Sequence, residues 1–415
     1  MPDAFRVFAG VDWAQEVHVV CVTDATGRII EERQVPHEGQ ALAEMADWLV
    51  ALASGQADEV AVAIEVPHGA IVDTLLDRGC HVFAVNPKQL DRFRDRLFPA
   101  GAKDDSRDAF VLGDALRTDS RAFRRLAVGD PLMLQLREAS RQDAELQEDF
   151  QRVVNRLHDL LVRVWPELLS LAPSVNEPWL WTLLRFAPTP SAGAALPVGR
   201  VRRILREHHI RRVTAEEVAA VLRAPSVHLA AGVREGTAPR IASLLEQLWL
   251  LHGQRHAMER RQRELLQALN DEAPAEKGRE HQDVAILQSL PGIGVRIAAT
   301  MLAEAAHALQ ARDYHGLRTL GGIAPITKKS GKSRQVQMRY ACQRRVRTAL
   351  YWWGMGAIRC DPLSHVHYQR LRAKGQTHGR ALRGVIDRLL SVLVAMLKND
   401  SLYDASRRHP AATAA

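Results

Sequence analysis

Four acidic residues occupy positions where a charge needs a reason. Asp12 closes an apolar stretch in Gly-Val-Asp-Trp-Ala, and Glu65 follows a run of Val, Ala and Ile. A carboxylate at the end of such a run is costly unless it is paired, hydrogen-bonded or bound to a metal. Asp105 and Asp108, three residues apart where a helix begins, share one face of one turn. Side by side they repel each other unless a cation lies between them. Together the four make an all-oxygen donor set of the kind that hard divalent cations, Mg2+ or Mn2+, prefer. Two such ions about 3.5–4 Å apart stabilise the attacking and leaving oxygens of an in-line displacement at phosphorus, so the chemistry in view is phosphodiester cleavage. Each acid alone has an ordinary alternative: Asp105 as a helix N-cap, Glu65 as an exposed strand end, Asp12 as the start of a turn. The joint pattern favours the site.

The elements that must position these acids are legible from periodicity. Residues 5–11, 17–23 and 28–35 read as three antiparallel strands, with a turn at Asp24–Gly27 between the last two. A helix over 39–53, a buried strand over 59–66, a helix over 69–78 and a strand over 80–86 follow, and a helix from 104 to 117 closes the unit. The order βββαβαβ and a closing helix predicts a mixed α/β sheet with helices packed on it. Asp12 and Glu65 then end neighbouring strands.

Beyond 130 the pattern becomes helical. Leu136, Ala139, Leu146, Phe150, Val153, Leu157, Leu160 and Val164 recur at three or four residues, which predicts a long amphipathic helix over 131–164. Residues 240–269 repeat the pattern, and the Pro/Gly-punctuated segment 173–238 separates the two. They read as an antiparallel coiled coil or as two ordinary bundle helices. Residues 271–281 are polar and read as a hinge. A helix, a Pro-Gly-Ile-Gly turn and a second helix over 284–305 resemble a helix-hairpin-helix, in which Gly292 and Gly294 would open backbone N–H groups to a phosphate. From 341 to 398 the chain reads as helical, with Trp352, Trp353, Leu389, Leu390, Leu393 and Val394 as core. The expected organisation is 1–130, 131–275 carrying the insert 173–238, and 282–405.

Charge is divided unevenly along the chain. Residues 281–415 hold 21 Lys and Arg against 7 Asp and Glu, a net +14 out of +8 for the whole, so the rest is acidic. Within 328–347 stand Lys328, Lys329, Lys332, Arg334, Arg339, Arg344, Arg345 and Arg347, with no acid among them. A whole basic region of this kind points to nucleic acid rather than to an incidental solvated face. Hydrophobic residues at 47% and charged residues at 25% exclude a disordered chain. No signal segment or membrane-length apolar run is evident, so a cytoplasmic protein without a membrane partner is expected. The four cysteines, Cys21, Cys80, Cys342 and Cys360, are spaced for neither a metal nor a disulfide framework and are expected to be reduced and mostly buried.

Gly-Val-Asp-Trp-Ala, Ile-Glu-Val-Pro and Ala-Lys-Asp-Asp-Ser-Arg-Asp-Ala resemble the DEDD motifs of insertion-sequence-110-type transposases and the related Piv/MooV DNA invertases. The resemblance extends through residues 181–190 and the Leu-Pro-Gly-Ile-Gly hairpin to Leu-Gly-Gly-Ile-Ala-Pro and the following Lys-Lys-Ser-Gly-Lys-Ser. It implies an RNase H-like (RuvC-like) N-terminal domain and a C-terminal transposase domain bearing a nucleophilic serine. By motif that serine is Ser330, with Lys328, Lys329, Lys332 and Arg334 holding the scissile phosphate and Ser333 as the competing hydroxyl. The family's more common Ser-Ser-Gly-Gly form is here Lys-Ser-Gly-Lys. The resemblance further implies a structured guide RNA that pairs with DNA, and a homo-oligomer in which one subunit's serine works with another's acids. A hydrolytic nuclease without a covalent step, and a nucleic-acid-binding protein without chemistry, each satisfy a subset of these residues.

Overall fold

The computed structural model describes residues 5–97, 104–126, 130–230, 232–271, 282–330 and 333–408. The chain divides into two compact units, Met1–Asp130 and Pro131–Ala415. In chain order the first contains β1 (Val7–Asp12), β2 (Val17–Asp24), β3 (Ile29–Pro36), α1 (Gly39–Leu52), β4 (Val60–Ile64), α2 (Ala70–Asp77), β5 (His81–Ala84), α3 (Pro87–Leu97), α4 (Asp105–Thr118) and β6 (Arg124–Arg125). The expected order is present with two additions, α3 and the two-residue β6. The sequence of α3 is mostly Lys, Gln, Asp and Arg, so its apolar residues are too few to announce a helix.

The strands form one mixed sheet in the order β3-β2-β1-β4-β5-β6. β1 pairs antiparallel with β2 and parallel with β4, in a register that sets Gly10 beside Ala63 and Val11 beside Ile64. Side chains alternate between the two faces of a strand. Val7, Ala9 and Val11 of β1 and Val60, Val62 and Ile64 of β4 share a core with Leu42, Met45 and Leu49 of α1 and Ile71 and Leu75 of α2. Phe8, Ala61, Ala63 and Phe83 meet Val111, Leu112, Ala115 and Leu116 of α4 on the opposite face.

Gly10 belongs to the α4 face and lets that helix approach the sheet. A Cβ on Gly10 would stand 2.5 Å from the Gly113 amide nitrogen, 2.8 Å from Leu112 Cβ, and closer still to the Ala109 carbonyl oxygen. A Cβ on Gly113 would lie 3.1 Å from the Gly10 nitrogen. Gly113 therefore sits over Phe8–Gly10 and Ala109 over Gly10, which aims the first turn of α4 toward Asp12.

The second unit is mostly helical. It comprises α5 (Pro131–Val164), α6 (Pro178–Phe186), α7 (Pro190–Ala195), α8 (Val198–Glu207), α9 (Ala215–Arg223), α10 (Val233–Asp271), α11 (Asp283–Ser289), α12 (Val295–Gln310), α13 (Tyr314–Leu320), β7 (Ile326–Ser330), β8 (Ser333–Gln337), α14 (Arg344–Cys360), α15 (Pro362–Ala373) and α16 (His378–Lys398). The start of α5 shares a core with the end of α10, through Leu136, Ala139, Leu265 and Leu269, and with α12, α14 and α16. The end of α5 shares a second core with the start of α10 and with α6, α8 and α9, through Phe150, Leu157, Trp181, Ile241 and Leu248. The two long helices thus run antiparallel. Between the cores lies a polar layer: Gln262 Nε2 donates to the Ala139 carbonyl at 3.2 Å, and Arg296 bridges Asp143 and Glu259 at 3.2 Å each.

Several expectations are corrected here. The stretch 341–398 is three helices, interrupted where Asp361 caps α15 and where Gly375 takes φ +76°. Trp353 is fully buried, but its neighbour Trp352 is 55% exposed. Adjacent helix positions lie about 100° apart, so the core admits one of the pair. Cys21 and Cys80 are buried, whereas Cys342 is half-buried and Cys360 exposed; all four are free. Of the expected hinge, residues 272–281 lie outside the described residues. No helix among the described residues is long and apolar enough to cross a membrane.

Candidate active site

Strand alternation and register together gather the acids on one side of the sheet. Asp12 follows Phe8 and Gly10 on the α4 face, and Glu65, one residue past β4, continues the alternation of Ala61 and Ala63. Both are half-buried. Asp108 projects from the α4 turn aimed toward Asp12 and is 3% exposed, while Asp105 is exposed at the helix start. The N-cap is Asp104, whose Oδ1 accepts from the Ser106 amide at 3.3 Å. That leaves Asp105 and Asp108 on the shared face.

The donor set suits a hard divalent cation, but the side chains do not close around one. Among the described residues no three acidic, His or Cys side chains are grouped to hold a metal ion. Both oxygens of Asp108 instead accept from Arg94 of α3, at 2.6 Å from Nε and 2.9 Å from Nη2. The Arg94 guanidinium is partly desolvated, which lowers its pKa, yet its bonds to Asp108 and Asp91 carry it above the ordinary arginine value.

Histidines pin the turn that leaves Asp12. The Ala14 amide donates to Nδ1 of the buried His18 at 3.2 Å, leaving Nε2 to donate to His37 Nδ1 at 2.8 Å. Trp13 packs against both rings. Burial, reinforced by His37, holds His18 below the usual histidine pKa.

Ser330 ends β7 and pairs in register with Ser333 at the start of β8. Lys328, Lys329 and both serines are exposed. With Thr327 and Gln335 they line an open depression of about 470 Å³. Lys332 and the Arg334 side chain lie outside the described residues. A two-stranded ribbon exposed on both faces is marginal alone, and this one is tied at its base. The Gln343 amide donates to the Leu320 carbonyl at 2.9 Å, and Arg347 donates to the Arg339 carbonyl. Arg344 is exposed, whereas Arg345 is drawn to Glu304, 3.4 Å away. Gly292 takes φ +82°, and a Cβ there would strike the α14 backbone at Gly356 and Ala357, so it serves a close helix contact. Gly294, exposed, opens α12 with nothing within 4 Å of where a Cβ would be.

A DEDD transposase family model of IS110 type matches residues 9–166, and a model described as transposase IS116/IS110/IS902 family matches residues 284–369. The chain belongs to the IS110 family of transposases. The putative transposase y4uE of Sinorhizobium fredii is 50% identical to this IS110-family chain over 216 residues, 52% of the chain and 60% of that protein. The mini-circle putative transposase for IS117 of Streptomyces coelicolor is 29% identical over 413 residues, covering 98% of the chain and 97% of that protein. An uncharacterized 42 kDa protein of insertion element IS900 from Mycobacterium paratuberculosis is 25% identical over 417 residues, covering 99% and 98%. The first model spans all four acids, and the second spans Gly292, Gly294 and Ser330.

Sequence reasoning passed over Arg94, the Gly10–Gly113 contact and the tie from Arg347 to the Arg339 carbonyl. Gly10 carried a signal, because an isolated glycine in a strand marks a bulge or a close backbone approach. Arg94 carried none, since its partner is met only through tertiary packing.

Proposed function

We propose that this IS110-family chain is a transposase that cuts and rejoins DNA strands, with an acidic metal-binding site in a RuvC-like domain and Ser330 as the covalent nucleophile. The observation that carries the reading is the common face of Asp12, Glu65 and Asp108, set by strand alternation and the Gly10 contact. Asp12, Glu65, Asp105 and Asp108 would hold Mg2+ or Mn2+. Such ions, when bound, neutralise charge on the phosphate and polarise its oxygens.

The serine's part follows from its exposed place among lysines. Ser330 Oγ bonds to phosphorus as its proton passes to solvent, and the bond from phosphorus to the leaving deoxyribose oxygen breaks, that oxygen ending as a hydroxyl. Lys328, Lys329, Lys332 and Arg334 offset the charge that develops on the phosphoryl oxygens. The resulting phosphoserine ester keeps the bond available, so a hydroxyl on another strand attacks it and frees the serine. Arg339, Arg344, Arg345 and the Gly294 helix start extend the contact to the nucleic-acid backbone. A structured guide RNA would read sequence by pairing while the protein holds backbone and shape, and a homo-oligomer would supply serine and acids from different subunits.

Purified protein, with its copurifying RNA sequenced, is incubated with Mg2+ and DNA carrying the element ends. A denaturant-resistant protein–DNA adduct is expected, lost in Ser330→Ala together with at least about a thousandfold of cleavage. Asp12→Ala loses cleavage as well. Wild-type cleavage by Ser330→Ala sinks the covalent step and favours hydrolysis; transfer of the adduct's loss to Ser333→Ala moves the nucleophile to that residue.

A further inference from the structure

The Arg94–Asp108 pair has no place in the chemistry above, and its geometry conflicts with it. Asp108 is the most deeply buried of the four acids, its side chain 4% exposed, and that of Arg94 is 17% exposed. The two N–H···O bonds at 2.6 and 2.9 Å take both carboxylate oxygens. A guanidinium seated against both Asp108 oxygens competes with a cation for that carboxylate through its charge and the space it fills, and a buried two-point pair resists opening because it would leave a charge uncompensated. The exchange of one cation for another avoids that cost. The structure also provides somewhere for the guanidinium to go: Arg94 Nη1 already donates to Asp91 at 3.1 Å, and the Asp91 side chain is 63% exposed on the same helix.

We propose that Arg94 is a built-in stand-in for the metal: it neutralises Asp108 in the metal-free protein, must withdraw toward Asp91 before a divalent cation can bind there, and so sets the metal affinity of the acidic site. This rests on the reading of the four acids as metal ligands. It makes α3, which contributes none of the four acids, a control element of the site.

The test is Mn2+ binding by calorimetry to the full-length protein without DNA, comparing wild type with Arg94→Gln, Arg94→Lys and Asp108→Asn. A competitor that holds a site about nine-tenths of the time weakens apparent affinity about tenfold, so Arg94→Gln is expected to bind Mn2+ about tenfold more tightly. Arg94→Lys keeps the charge but loses the fork, and falls between the two. Mn2+ should also raise the melting temperature of Arg94→Gln by more than it raises that of wild type. A merely structural brace would lower the metal-free melting temperature of the variant and leave its Mn2+ affinity at or below that of wild type, and that result overturns the proposal. Should Arg94→Gln fail to fold, Arg94→Lys decides, with unchanged affinity counting against it. If folded wild type and folded Arg94 variants all fail to bind Mn2+, the metal-site reading itself fails. Asp108→Asn losing affinity in a protein that binds Mn2+ ties the effect to this carboxylate.

Discussion

Gly10→Ala adds one methyl group to a strand, and the structure predicts a severe consequence. Gly10 does not require a positive φ, so the backbone tolerates alanine there and the cost is steric. The new Cβ would stand 2.5 Å from the Gly113 nitrogen and nearer to the Ala109 carbonyl oxygen, whereas real Cβ contacts essentially never fall below 3.0 Å. Both partners are backbone atoms of α4, so no side chain can rotate away. The helix must lift as a body by about 1 Å, at an overpacking cost of about 1–3 kcal/mol. Asp105 and Asp108 travel with it, while Asp12 and Glu65 stay with the strands. A misplacement near 1 Å at a reacting centre costs about 100-fold in rate. Gly10→Ala is therefore expected to unfold at lower urea and, where still folded, to cut DNA about 100-fold more slowly. Gly113→Ala, whose Cβ would meet the Gly10 nitrogen at 3.1 Å, should show a fraction of both effects. A Gly10→Ala protein with wild-type stability and cleavage would refute the claim that this contact places the acids.

Two further outcomes follow from the same unit. His18 is buried, and burial holds its pKa below 6.5, so the unfolded chain binds its proton more readily than the folded one. Stability is then intact above about pH 6.5 and declines as pH falls from there toward the folded value. Urea unfolding at pH 7 and pH 5 should show a shallower decline in His18→Gln than in wild type; parallel declines would remove His18 as the cause. Burial also raises the thiols of Cys21 and Cys80 to about 11, so at pH 8 a thiol reagent should modify exposed Cys360 promptly and those two only after unfolding. Peptide mapping that finds Cys21 or Cys80 labelled in the native protein would contradict their burial.

What could be read from the sequence was what local periodicity encodes. Alternating and continuous apolar runs announced β1 to β5 in order, and with them the placement of Asp12 and Glu65 at the ends of neighbouring strands. The three-residue spacing of Asp105 and Asp108 announced their common face. Arg94 escaped because its partner lies on another helix, and no spacing within α3 marks an arginine that faces a buried aspartate. The exposure of Trp352 escaped for a related reason: two adjacent tryptophans carry equal apolarity, and only the packing of α14 against α12 and α16 decides which turns inward. At the C-terminal hairpin the charges of Lys328 and Lys329 were plain, whereas the tie from Arg347 to the Arg339 carbonyl depends on a chain reversal that no local pattern prescribes.

The polar layer between α5 and α10 acts as a length standard. Gln262 grips the Ala139 carbonyl, and Arg296 clamps Asp143 and Glu259, so the long helices cannot slide past each other without leaving buried charge unanswered. With 34 residues in α5, the span is about 50 Å at 1.5 Å per residue. A single inserted residue would rotate everything beyond it by about 100° and turn one of the two cores away from its partner. Seven residues, close to two full turns, would preserve both faces. Changes in the reach of this arm are thus tolerated in steps of about 10 Å, each requiring a matching insertion in α10.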